Sequence, residues 1–182
     1  MNLPNMISLA RLFATPVMVW LMLTGEMTIA FWLFLAASIS DAVDGFIAKR
    51  FDRETMLGGY LDPLADKALL VSVYITLGVL DHLALWLVIL VVFRDILIIG
   101  GALLLWLLAR SFTIQPLMIS KVNTVAQIVL AAVVLGDLGL DLVTDGLVQA
   151  LIYAVAATTL ASGATYLVEW TRRASRVVDT PE

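Results

Sequence analysis

The chain has 182 residues, 62% of them hydrophobic and 14% charged, and a formal charge of −4 at pH 7. Soluble domains average about 45–50% apolar and about 25% charged, and a globule of this size keeps too much surface in water to hide the excess, so a soluble or disordered chain is excluded. With no cysteine there is no material for a disulfide framework, a thiolate nucleophile or a zinc–thiolate site, and the single histidine, His82, argues against a His-rich metal centre or a Ser–His–Asp triad.

What remains is an all-α integral membrane protein. Apolar stretches at 6–24, 27–48, 58–80, 84–109, 119–136 and 147–170 each approach the roughly 20 helical residues needed to cross a hydrocarbon core. Runs such as Leu83–Phe93 (LALWLVILVVF) do not alternate as barrel strands would, so helices are predicted. Residues 1–11 are read as a short interfacial segment entering the first crossing, because Arg11 interrupts the apolar run. No small-x-small cleavage site follows before Glu26, which argues against a removable signal. Pro16 is expected to bend the first helix. The short connections and the lack of a repeat make residues 1–182 a single membrane domain.

Charge sets the orientation. The loops near 25–27, 81–83 and 136–146 hold Glu26, Asp81, Asp137, Asp141 and Asp145 but no Lys or Arg. Lys49, Arg50, Arg53, Arg110, Lys121, Arg172, Arg173 and Arg176 mark the opposite face, which the positive-inside rule makes cytoplasmic. Both termini then lie in the cytoplasm. The expected location is the inner membrane of a bacterium; membrane lipids are the expected surroundings, and no nucleic-acid partner is expected.

Asp41, Asp44, Asp62 and Asp66 cluster around the loop between the second and third helices. A carboxylate at the centre of a membrane helix costs about 2.5–3.5 kcal/mol on insertion scales, less near the interface. At about 100° per residue, spacings of three and four put each pair on one helix face. Acids converging in this way repel unless cations bind between them, and oxygen-only ligands favour Mg²⁺, Mn²⁺ or Ca²⁺. The plainer reading makes them interfacial charges near Lys49, Arg50, Arg53 and Lys67. Gly45, Ala48 and Gly58 leave room either for a flat ligand ring or for close helix packing. The third helix begins either near Gly58 or with Asp62 as N-cap and Pro63 at its first position.

Residues 41–66 read DAVDGFIAKRFDRETMLGGYLDPLAD. This resembles the CDP-alcohol phosphotransferase signature D-x2-D-G-x2-A-R-x8-G-x3-D-x3-D at every fixed position but one, where Lys49 replaces arginine. The resemblance implies two divalent cations, Mg²⁺ or Mn²⁺, held by Asp41, Asp44, Asp62 and Asp66, with Asp66 as general base. It implies a cytidine pocket lined by Gly45, Ala48 and Gly58, with Lys49 on phosphate. Lysine lacks the guanidinium's bidentate fork, and Arg50 is the neighbouring alternative. The opening PNMISLAR is similar to the family's P-N-x-x-S/T-x-x-R segment, placing Asn5, Ser8 and Arg11 near a CDP-linked lipid.

Arg94-Asp95 inside the fourth crossing and ISKVNT at the start of the fifth most resemble the branch of the family that forms cardiolipin and releases CMP. Arg94, Arg110 and Lys121 are candidates for an anionic acceptor; alternatively, Arg94 pairs with Asp95 or a helix carbonyl. The leading expectation is transfer of a phosphatidyl group from CDP-diacylglycerol to phosphatidylglycerol. Glycerol 3-phosphate as acceptor, giving phosphatidylglycerophosphate, is the alternative. A homodimer is implied by the resemblance alone. A divalent-cation transporter is the reading from another class, disfavoured because transport sites usually sit at the midplane between repeated halves.

Overall fold

The computed structural model describes residues 3–51, 58–109, 118–142 and 145–178, with side chains at 9–40, 65, 67–101, 118–142 and 146–171. Six helices follow in order: α1 (Leu3–Leu23), α2 (Met27–Phe51), α3 (Gly58–Val79), α4 (Leu85–Ala109), α5 (Met118–Leu140) and α6 (Asp145–Val178). No strand occurs among the described residues.

Three of the helices, α1, α3 and α5, end beside a left-handed residue. Gly25 (φ +82°) closes α1, with its N–H donating to the Met22 carbonyl at 3.2 Å and the Glu26 N–H donating to the Leu21 carbonyl at 2.9 Å. This paired pattern satisfies carbonyls that the helix itself leaves open. Asp81 (φ 60°) does the same for α3, with the His82 N–H reaching the Leu77 carbonyl at 2.9 Å. Asp141 (φ 53°) follows α5. Aspartate tolerates this conformation better than bulkier residues do.

α1 packs along α3 and α2, α5 along α6 and α2, and α4 along α6 and α3. Met18 and Met22 of α1, Phe34 of α2, Val73 and Leu77 of α3, Leu87 and Val91 of α4, Leu130 and Leu135 of α5 and Val155 of α6 form one buried core. Gly139 lets α5 approach α2 closely: a methyl group there would lie 2.8 Å from the Met27 carbonyl. Alongside it, the Thr28 hydroxyl donates to the Gly139 carbonyl at 2.6 Å. Gly101 of α4 receives the indole of Trp170.

Helix α4 is built inside out. Phe93 and Ile96 are 62% and 63% exposed, whereas Arg94 and Asp95 between them are each 3% exposed. Trp20, Trp32 and Trp86 also face outward. An apolar exterior over charged interior positions is the arrangement that a hydrocarbon solvent favours. Among the described residues, Met118–Leu140 and Gly146–Thr171 are long and apolar enough to cross a membrane.

The helix bounds bear on three expectations. α1 runs unbroken from Leu3, with Pro16 inside it, so the residues read as an interfacial segment are continuous with the first helix. Of the two starts left open for α3, the helix takes the one at Gly58, so Pro63 lies within it. α6 continues to Val178, beyond the apolar stretch, because Arg, Ala and Thr sustain a helix after the hydrophobic pattern has stopped.

Candidate active site

The carboxylate motif falls on two continuous helices. Asp41 and Asp44 lie within α2, and Asp62 and Asp66 within α3. Unbroken helical backbone carries out the expected register, so each pair shares a helix face. The side chains of Asp41, Asp44, Lys49, Asp62 and Asp66, like those of Asn5 and Ser8, lie outside the described residues, as does Arg110. Gly45, Ala48 and Gly58 are placed only as backbone positions on the same two helices. Among the described residues, no group of three or more acids and histidines is arranged for a metal.

The neighbourhood of the motif is nonetheless defined by what surrounds it. Phe34 and Ser38 of α2, Lys67, Leu69 and Leu70 of α3, and Thr124 and Ile128 of α5 line one cavity of about 40 Å³. Ser38 lies about one turn before Asp41, and Lys67 directly follows Asp66. Residues flanking both halves of the motif therefore line the same cavity. The donor set, four carboxylates at spacings of three and four on helical backbone, is of the oxygen-only kind that hard divalent ions take.

A buried polar cluster underlies that cavity. The Lys67 ammonium donates to Asp95 Oδ1 at 2.7 Å, and Arg94 Nη1 donates to the same oxygen at 2.7 Å. Arg94 Nη2 reaches Ser120 Oγ at 2.6 Å, while Nε and Nη2 reach Ser162 Oγ at 3.2 and 2.5 Å. Every guanidinium nitrogen is thus hydrogen-bonded within the protein. Asp95 ties α4 to α3 through Lys67, and Arg94 ties α4 to α5 and α6 through Ser120 and Ser162. The second carboxylate oxygen, Asp95 Oδ2, is buried and has no partner among the described residues.

Farther along α5, the side-chain oxygen of Asn123 accepts hydrogen bonds from Thr158 and Thr159 of α6, both at 2.9 Å. Tyr74 of α3 donates to the Gln127 carbonyl at 3.0 Å. Arg11, on α1, is 5% exposed. Lys121 is exposed on the first turn of α5, a position unfavourable to a cation because helix N-termini carry positive partial charge.

Sequence reasoning paired Arg94 with Asp95 as one of two readings, and the structure contains that pair. It did not find Lys67, Ser120 or Ser162 as partners. The available signal was the placement of small hydroxyl residues inside apolar helices, where they serve as interhelical donors and acceptors.

The chain matches the model of a family described as CDP-alcohol phosphatidyltransferase over residues 1–163. It is 35% identical over 189 residues to a CDP-diacylglycerol–glycerol-3-phosphate 3-phosphatidyltransferase 1, chloroplastic, of Oryza sativa subsp. japonica, covering 93% of this chain and 57% of the rice protein. It is 32% identical to the cardiolipin synthase (CMP-forming) of Homo sapiens, over 91% of this chain and 60% of the human protein. A CDP-diacylglycerol–glycerol-3-phosphate 3-phosphatidyltransferase of Bacillus subtilis is also 32% identical, with 91% of this chain and 93% of the relative covered. The chain thus spans somewhat over half the length of the plant and human relatives and nearly all of the bacterial one. With its signature carried on α2 and α3 and the family model matched from residue 1 to residue 163, the chain belongs to the CDP-alcohol phosphatidyltransferase family.

Proposed function

We propose that this protein transfers the phosphatidyl group of CDP-diacylglycerol to phosphatidylglycerol, forming cardiolipin and releasing CMP. The observation that carries this reading is the motif of four aspartates, in two face-matched pairs on α2 and α3, within a chain that belongs to this family. We place all six helices across the cytoplasmic membrane of a bacterium, with the motif at the cytoplasmic face and the protein a homodimer. The inside-out burial of α4 and the one-sided distribution of basic residues support that placement.

Asp41, Asp44, Asp62 and Asp66 would hold two divalent ions, Mg²⁺ or Mn²⁺. Bound there, the ions supply charge neutralisation of the pyrophosphate and polarisation of the attacked phosphorus. Asp66 takes the proton from the free glycerol hydroxyl of phosphatidylglycerol. That oxygen forms a bond to the phosphorus bearing diacylglycerol, the bond from this phosphorus to the CMP oxygen breaks, and CMP leaves. Positioning and charge neutralisation dominate phosphoryl transfer, so an enzyme nucleophile is not required. Gly45, Ala48 and Gly58 leave room for the cytidine ring, and Lys49 meets phosphate together with Asn5, Ser8 and Arg11. Arg110 and the exposed Lys121 are the cations available to an anionic acceptor. Arg94, with every guanidinium nitrogen bonded inside the protein, holds Ser120, the residue before Lys121 on α5.

A second reading has its own support, because the rice and Bacillus relatives are named for glycerol 3-phosphate as acceptor. Purified protein supplied with labelled CDP-diacylglycerol and each acceptor in turn separates the two. Phosphatidylglycerol should drive metal-dependent CMP release with formation of cardiolipin, and Asp41→Ala should bring that release to background while the protein still inserts. Release with glycerol 3-phosphate alone would replace the first reading with the second, and full activity of Asp41→Ala would remove its role as a ligand. Metal flux into liposomes without CMP release would instead favour a transporter.

A further inference from the structure

Lys67 has no role in the reaction proposed above, yet it occupies the residue after Asp66 and binds a carboxylate that is 3% exposed. Its ammonium lies 2.7 Å from Asp95 Oδ1, and its side chain is 28% exposed. Asp95 in turn is anchored through Arg94 to Ser120 and Ser162. The result is a continuous strut: α5 and α6 hold Arg94, Arg94 holds Asp95, and Asp95 holds the turn of α3 that carries the last motif aspartate.

We infer that Lys67 and Asp95 are positioning residues for the metal site, fixing the rotation and height of the part of α3 that carries Asp62 and Asp66. This rests on the metal-site reading proposed above. The physical reason is leverage. Consecutive residues on a helix are rigidly coupled, so pinning Lys67 pins the backbone of Asp66. Groups that orient metal ligands typically change metal affinity by about 10–100-fold when removed.

A second role for the lysine makes the opposite prediction, and this gives the test its force. Were the ammonium only a positive charge beside four acids, it would compete with the metals, and its removal would tighten metal binding. As a strut, its removal loosens binding. Mn²⁺ titration of the detergent-solubilised protein, followed by the electron paramagnetic resonance of free Mn²⁺, distinguishes the two without any turnover.

Lys67→Met leaves Asp95 paired with Arg94 and should remain folded and monodisperse. It should weaken Mn²⁺ binding by about tenfold or more, and raise the Mn²⁺ concentration for half-maximal CMP release in parallel. Lys67→Arg, which retains a charged donor, should restore most of the affinity. Should Lys67→Met fail to fold, Lys67→Gln keeps a neutral donor for Asp95 and should fall between the wild type and the loss expected for methionine. Unchanged or tighter Mn²⁺ binding in the folded neutral variant would overturn the strut. A wild-type protein that binds no Mn²⁺ would bring down the metal-site reading itself, and this inference with it.

Discussion

Arg94 and Asp95 on α4 and Asn123 and Gln127 on α5 are all hidden, at 3% exposure or less, yet they are satisfied on different terms. The charged pair gathers Lys67, Ser120 and Ser162 and links four helices, through the carboxylate on one side and the guanidinium on the other. The neutral pair is sparsely served. Asn123 uses its oxygen with Thr158 and Thr159, but its amide nitrogen and both head atoms of Gln127 have no partner among the described residues. A buried charge cannot be left unmatched without costing several kcal/mol, whereas a buried amide carries a smaller penalty. The charged cluster is therefore the part of the interior that locks helix positions, and it lies beside the motif. The neutral layer is farther along α5 and is correspondingly replaceable.

The contrast can be broken by substitution. Asp95→Leu would strand Arg94 and Lys67 without their shared anion and should cost about 3–5 kcal/mol, read as a shift in unfolding by sodium dodecyl sulfate. A loss under about 1 kcal/mol would show that the cluster is not what locks the bundle. Asn123→Leu removes two interhelical hydrogen bonds and should cost about 0.5–1.5 kcal/mol in the same titration, since such bonds within membrane bundles are individually weak. A loss equal to that of Asp95→Leu would erase the distinction between the layers.

Gln127→Met should have the smallest effect and the opposite sign. It keeps nearly the same volume and removes two unpartnered polar atoms, so stability should hold or rise by up to about 1 kcal/mol. The Tyr74 bond survives because it uses the Gln127 backbone carbonyl. A marked loss would mean that the amide has a partner essential to the fold.

Much of this architecture was legible in the linear chain. The stretches 27–48 and 84–109 correspond to α2 (Met27–Phe51) and α4 (Leu85–Ala109), because hydropathy and helix length are set by the same local residues. The motif was legible as spacing, and continuous helices at 27–51 and 58–79 turn that spacing into shared faces. Helix ends were harder. Asp81 and Asp141 adopt left-handed conformations that their residue type permits but does not announce. The end of α6 at Val178 was also missed, since loss of hydrophobicity is not loss of helix.

Composition, hydrophobic runs and the spacing of four aspartates, all properties of neighbours along the chain, by themselves determined an all-helical architecture, six helices among the described residues, with an acidic motif beside the connection between the second and third. Only the tertiary structure decided that Lys67 finds Asp95, that Ser120 and Ser162 close around Arg94, and that Thr158 and Thr159 meet Asn123. Those partners are separated by 26 to 68 residues, apart from the adjacent Arg94 and Asp95. No local pattern encodes which of several buried polar groups will face one another once the helices have packed, because that choice depends on the rotation and height of each helix against the others.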